Sequence, residues 1–172
     1  YIGSKNTEKL PVIYTLSFTF NLIFSITIAI ILLFFSNQLF NFISLPEVIF
    51  ADAVTYLKLV GGFIFLQGII GTFSAIFRAN KLMKENMLVS IAINVSNVVF
   101  NIFLINGFGP IPALGVTGAA IATNVSRVVG VILYIIIFIK KFDTKISLRY
   151  LRPFPTTELK RMLSIGIPSA GE

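Results

Sequence analysis

Val-Ile-Tyr-Thr-Leu-Ser-Phe-Thr-Phe-Asn-Leu-Ile-Phe-Ser-Ile-Thr-Ile-Ala-Ile-Ile-Leu-Leu-Phe-Phe, residues 12–35, contains no charged side chain. Nor does anything else between Lys9 and Glu47, and a second uncharged run extends from Glu85 to Arg127. A helix of about 20 apolar residues crosses the hydrocarbon of a bilayer, so both runs are long enough to span it. The whole chain agrees: of its 172 residues 56% are hydrophobic and only 12% charged, about half the charged share of a soluble domain. The expected fold is all-α, a polytopic bundle of transmembrane helices.

The residue types that are missing narrow the chemistry. Without a single Cys or His there is no disulfide framework, no thiol or imidazole catalysis and no Cys/His metal site. Seven Asp and Glu residues are too scattered for a paired-carboxylate centre. The expectation is a protein that is not an enzyme and uses neither cofactor nor metal.

Four crossings can be placed. Residues 12–35 form the first, with Pro11 in its opening turn, where a missing N–H is harmless, and Ser36, Asn37 and Gln38 as its end. A short apolar connection over 37–46 leads to a second crossing at 53–78. A third covers 87–106, and Gly107, Gly109, Pro110 and Pro112 make a hairpin into a fourth at 115–139. Residues 1–139 are thus membrane helices. Residues 140–157 read as a basic linker, and 158–172 as the start of another helix. The opening on Tyr1 and the close on Glu172 suggest a piece of something larger.

Charge sets the orientation. Twelve of the fourteen basic residues flank alternate loops on one side: Lys5 and Lys9, then Arg78, Lys81 and Lys84, then the seven from Lys140 to Arg161. The opposite loops, 36–52 and 106–117, contain none. By the positive-inside rule the basic side is cytoplasmic in a plasma (inner) membrane. That asymmetry accounts for the net charge of +7 without nucleic acid as a partner. In the linker, Phe142, Ile146, Leu148 and Leu151 alternate with Lys and Arg, a pattern suited to anionic membrane lipid.

Every crossing carries a polar side. Tyr14, Ser17, Asn21 and Ser25 share a face of the first, and Ser90, Asn94, Asn97 and Asn101 share one on the third. The second has Gln67 and Ser74; the fourth has Thr123, Asn124, Ser126 and Arg127. Such faces bond to neighbouring helices or line a water-filled cavity. The cavity reading nominates Tyr14, Asn21, Gln67, Asn94, Asn97, Asn101, Thr123 and Arg127 as substrate-cavity residues. Gly118, Ala122, Ser126 and Gly130 repeat every fourth residue and read as a packing stripe. Arg127 lies mid-membrane and requires a partner, whether a carbonyl, a helix outside these residues or a substrate.

Several stretches carry a family resemblance: Arg78-Ala79, Asn97-Val98-Val99-Phe100-Asn101, the turn 109–112, and Leu114-Gly115-Val116-Thr117-Gly118-Ala119-Ala120-Ile121-Ala122-Thr123. Together they resemble the multidrug and toxic compound extrusion (MATE) family, and residues 1–6 and 165–172 resemble the pieces flanking this region. The resemblance implies helices three to six of a twelve-helix transporter, part of one six-helix lobe, with the linker leading to the second lobe. It implies a secondary active antiporter that exports amphipathic or cationic organic compounds for sodium ions or protons by alternating access. Its partners would be small organic substrates, membrane lipid and the remainder of the transporter. The alternative is a lipid-linked oligosaccharide flippase of the same superfamily. Some members carry a first-lobe cation site, and by resemblance Asn101 and Thr123 fall at its Asn and Thr positions. The family's Asp falls at Ile105, which offers no oxygen.

Overall fold

The computed structural model describes residues 9–109, 112–142, 146–151, 155–157, 159–160 and 164. Five helices follow one another: α1 (Leu10–Phe42), α2 (Glu47–Gly62), α3 (Ile64–Ala79), α4 (Met83–Asn106) and α5 (Gly115–Lys141). A 3₁₀ turn at Leu148–Leu151 completes the series. The all-α class is as expected. Helices α1, α4 and α5 are each long and apolar enough to cross a membrane, and α2 with α3 meets the same measure as one span bent by 46°.

The boundaries differ from the sequence reading in instructive ways. Ser36, Asn37 and Gln38 do not end the first helix, and the connection expected over 37–46 shrinks to 43–46. Polar side chains inside a helix cost only tenths of a kcal/mol, and Ser36 is buried. The end comes where the backbone requires it. Ser44 takes a left-handed φ of 53°, its N–H donates to Asn41 O, and the Leu45 N–H donates to Phe40 O. That pair of bonds is a Schellman cap, and Pro46 disfavours further helix at Leu45. The same device closes α3, with Lys81 at φ 62° and bonds from Lys81 N to Arg78 O and Leu82 N to Phe77 O.

The second crossing is not one helix over 53–78. It starts at Glu47, just after Pro46, and breaks at Phe63. Gly61 and Gly62 precede the break, and glycine weakens a helix interior. Both are held against α1: a Cβ would lie 2.9 Å from Leu32 at Gly61 and 3.1 Å from Leu33 at Gly62. Helix α4 begins at Met83 rather than 87, because Lys84 and Glu85 are good helix formers. Helix α5 continues through Lys140 and Lys141, whose charges favour a helix C-terminus, so the linker begins at Phe142. Pro110, Lys145, Arg152 and most of the expected final helix lie outside the described residues.

Helix α1 packs on α2 and α3, and α4 packs along α5. At Gly118 the obstacle is backbone rather than side chain: a Cβ would come within 2.6 Å of the Leu104 carbonyl carbon. At the basic end an aromatic core forms. Phe73 stacks on Tyr134 with centroids 5.9 Å apart, Phe138 stacks on Phe142 at 4.7 Å, and Phe77 is fully buried between them. The Tyr134 hydroxyl donates to Asn86 Oδ1 at 2.7 Å. Beyond Phe142, the Ser147 N–H donates to Thr15 Oγ1 at 3.2 Å, which docks the start of the linker on α1. Elsewhere Phe24, Phe34, Val95 and Ile102 remain exposed, as lipid-facing residues do.

Two glycines on different helices give a paired prediction. Gly118→Ala forces a methyl into the α4 backbone, and overpacking of this kind destabilises by about 1–3 kcal/mol. Gly71 has nothing within 4 Å of a Cβ, so Gly71→Ala is expected to be neutral or stabilising by up to about 1 kcal/mol. Thermal unfolding in detergent distinguishes them; equal melting temperatures would contradict the α4–α5 contact.

Candidate functional site

Among the described residues, polar side chains inside this bundle form three seams, each at the contact of two helices. In the first, between α1 and α3, Asn21 Nδ2 donates to Thr72 Oγ1 at 2.9 Å and to Gly68 O at 3.2 Å. Ser25 Oγ donates to Asn21 O at 2.7 Å, and the missing side chain of Gly68 leaves room for that hydroxyl. Toward the basic end, Asn80 Nδ2 donates to the Tyr14 hydroxyl at 2.7 Å. Alongside runs a cleft of about 280 Å³ whose lining includes Tyr14, Ser17, Asn21, Gly71, Thr72 and Ala75.

The second seam joins α4 to α5. Asn101 Nδ2 donates to Asn97 Oδ1 at 3.0 Å, and Asn97 Nδ2 reaches Thr123 Oγ1 at 3.4 Å and Ser126 Oγ at 3.5 Å. Thr123 and Ser126 donate back to their own helix, to Ala119 O and Thr123 O. Asn97 is the hub, linking Asn101 to Thr123. The Asn101 Oδ1 is buried with no hydrogen-bond partner, which leaves an oxygen of this seam free to accept. Asn101 and Thr123 can supply neutral oxygens to a cation; Ile105, one turn along, supplies none. No cluster of three or more His, Cys, Asp or Glu exists among the described residues.

The third seam lies where the second crossing breaks. Asn124 Nδ2 donates to Leu59 O at 2.9 Å, and Arg127 Nη1 points to Val60 O at 3.4 Å. Of the partners open to Arg127, a backbone carbonyl is the one found.

The eight expected cavity residues are therefore divided. Asn97, Asn101 and Thr123 come together; Tyr14 and Asn21 share the α1–α3 cleft; Arg127 sits at the break. Gln67 is exposed on α3, and Asn94 is exposed with its amide bonded to Ser90 O of its own helix. Sequence reasoning did not nominate Thr72, Asn80 or Asn124. The signal for Asn124 was its spacing of three from Arg127, which puts both on one face. Nothing local marks Thr72 or Asn80, whose partners lie 51 and 66 residues away.

Known proteins resemble this chain in sequence and in fold. The family model MatE matches residues 1–103. The chain is 34% identical over 172 residues to the uncharacterized transporter YisQ of Bacillus subtilis (strain 168), covering all of this chain and 38% of that protein. It is 28% identical to the multidrug export protein MepA of Staphylococcus saprophyticus, covering 98% of this chain and 36% of that one. A solved structure described as the inward-facing conformation of a multidrug resistance MATE family transporter of the MOP superfamily superposes with a TM-score of 0.85 at 26% identity. That match covers 98% of this chain and 38% of the other. The chain thus spans less than two-fifths of the length of these relatives.

The second seam yields a prediction. Asn97→Leu removes the hub and orphans the Asn101 amide, and interhelical bonds of this kind are worth about 1 kcal/mol in membranes. Asn94→Leu removes one exposed bond within its own helix. In thermal unfolding of the purified protein the first is expected to lower the melting temperature and the second to leave it nearly unchanged. The reverse order would contradict the seam.

Proposed function

The chain belongs to the MatE family, and from that membership we propose that it forms part of the first lobe of a secondary active exporter. The protein that contains it moves amphipathic or cationic organic compounds out of the cell in exchange for sodium ions or protons, by alternating access. The observation that carries this reading is the superposition of nearly the whole chain on a multidrug transporter at TM-score 0.85. The MepA relative, named for multidrug export, supports the substrate class. The bundle suits the task physically. Its outer residues are apolar, while amides and hydroxyls concentrate at helix contacts, where they can bind varied ligands without fixing a charge.

In this reading Arg78, Lys81, Lys84, Lys140 and Lys141, all exposed, face the cytoplasm and its anionic lipid. Substrate meets the lobe along the polar faces of Tyr14, Asn21, Gln67, Asn94, Asn97, Asn101, Thr123 and Arg127. Asn101 and Thr123 are the first-lobe cation donors. They lack a carboxylate neighbour, because Ile105 stands where the family's Asp would, so the charged part of ion coupling falls to residues outside this chain. The flippase alternative would favour free basic groups in the cavity, and Arg127 is engaged with Val60 O.

The test is export by the full-length protein in reconstituted vesicles, with a fluorescent organic cation as substrate and imposed sodium or proton gradients. One of the gradients is expected to drive accumulation at several-fold over the empty-vesicle control, and Asn101→Leu to reduce it. Gradient-independent movement of a lipid-linked sugar, with no cation export, would replace this reading by the flippase.

A further inference from the structure

We infer that the break between α2 and α3 is a hinge whose bent state is held by Asn124 and Arg127 of α5. A helix leaves its last four carbonyls without intrahelical partners, and for α2 these belong to Leu59, Val60, Gly61 and Gly62. Two consecutive ones are met from outside, Leu59 O by Asn124 Nδ2 at 2.9 Å and Val60 O by Arg127 Nη1 at 3.4 Å. Asn124 and Arg127 are three residues apart, so one face of α5 presents both donors at once. The Phe63 N–H turns to Gly61 O instead of continuing the helical series.

Three further observations show that this is a fitted joint and not a chance kink. The glycine pair before the break is packed against Leu32 and Leu33 of α1, at 2.9 and 3.1 Å from where a Cβ would stand, so the hinge is gripped from two sides. The Asn124 Oδ1 is buried with no hydrogen-bond partner; the side chain is oriented for its donor bond to Leu59 even though its acceptor goes unmet. The guanidinium sits at the C-terminal end of α2, where the helix dipole favours a positive charge.

The same geometry makes the joint movable. In a straight helix the amides of Phe63 and Ile64 would take back Leu59 O and Val60 O, so each carbonyl keeps one partner in either state. Straightening sets the Ile64 amide against Arg127 at Val60 O and moves that carbonyl into the helical ladder. This weakens the bond that holds the charge near the middle of the membrane, which favours the bent form at rest. Removing that charge therefore tips the helix toward the straight form.

Spin labels at Glu47 and Arg78, both exposed, report the bend in the full-length protein in liposomes. Two helices of roughly 24 Å meeting at 46° lengthen end to end by about 4 Å when they align. Arg127→Met is expected to lengthen the mean label distance by about that amount, and Asn124→Leu by about half of it. If Arg127→Met yields too little folded protein, Asn124→Leu carries the test alone. A mean distance unchanged from wild type in the folded fraction would overturn the inference and assign the bend to the glycines and α1. The distance reads helix geometry only, so the outcome is decided separately from whether the protein exports drugs.

Discussion

Hydrocarbon offers no hydrogen-bond partner, so every amide, hydroxyl and broken-helix carbonyl at membrane depth must find one inside the protein. That constraint organises this bundle. Two hydrophobic helices have little reason to prefer each other over lipid tails, and contact surfaces here are accordingly marked by polar and small residues. Asn21 with Thr72 and Gly68 joins α1 to α3. Asn97 and Gly118 join α4 to α5. Asn124 and Arg127 join α5 to the end of α2. Aromatic packing around Phe77 adds a core at one end, and the remaining apolar surface is left to lipid.

Much of the fold was legible because the bilayer imposes long uncharged runs, and few other structures need them. Their helical state follows from the backbone constraint alone. What the residues did not reveal is where long-range contact decides. Ser36, Asn37 and Gln38 look like an exit from the membrane, yet α1 continues to Phe42, because only the left-handed Ser44 and Pro46 stop the backbone. Residues 53–78 read as one unbroken crossing; that Gly61 and Gly62 precede a 46° bend goes with contacts to Leu32 and Leu33 and to α5, none of which is local. Polar faces were visible at helical spacing, but which helix each one meets was not, since Asn21 and Thr72 are 51 residues apart.

The seams do not use all of their hydrogen-bonding capacity on packing. Asn97 satisfies Asn101 and touches two hydroxyls, while the buried Asn101 Oδ1 stays unpaired. A seam with a spare acceptor holds helices together and still has bonding capacity for a ligand. The α1–α3 cleft has the same character, lined by Tyr14, Ser17 and Asn21 of α1 and by Thr72 and the small residues Gly71 and Ala75 of α3. Neutral amides and hydroxyls rather than carboxylates predominate in these seams, and Arg127 is the charged side chain among them.

The central claim is that polar side chains pair these helices. A double-mutant cycle between Asn21→Ala and Thr72→Ala tests it most directly, measured as unfolding free energy in bilayer-like micelles. Because the amide of one donates to the hydroxyl of the other at 2.9 Å, the two changes are expected to be non-additive. The coupling should be about 0.6 kcal/mol and up to about 1.7, the range seen for interhelical bonds in membranes. Strict additivity, with a coupling of zero, would mean that the seam does not hold α1 to α3 and would contradict the account.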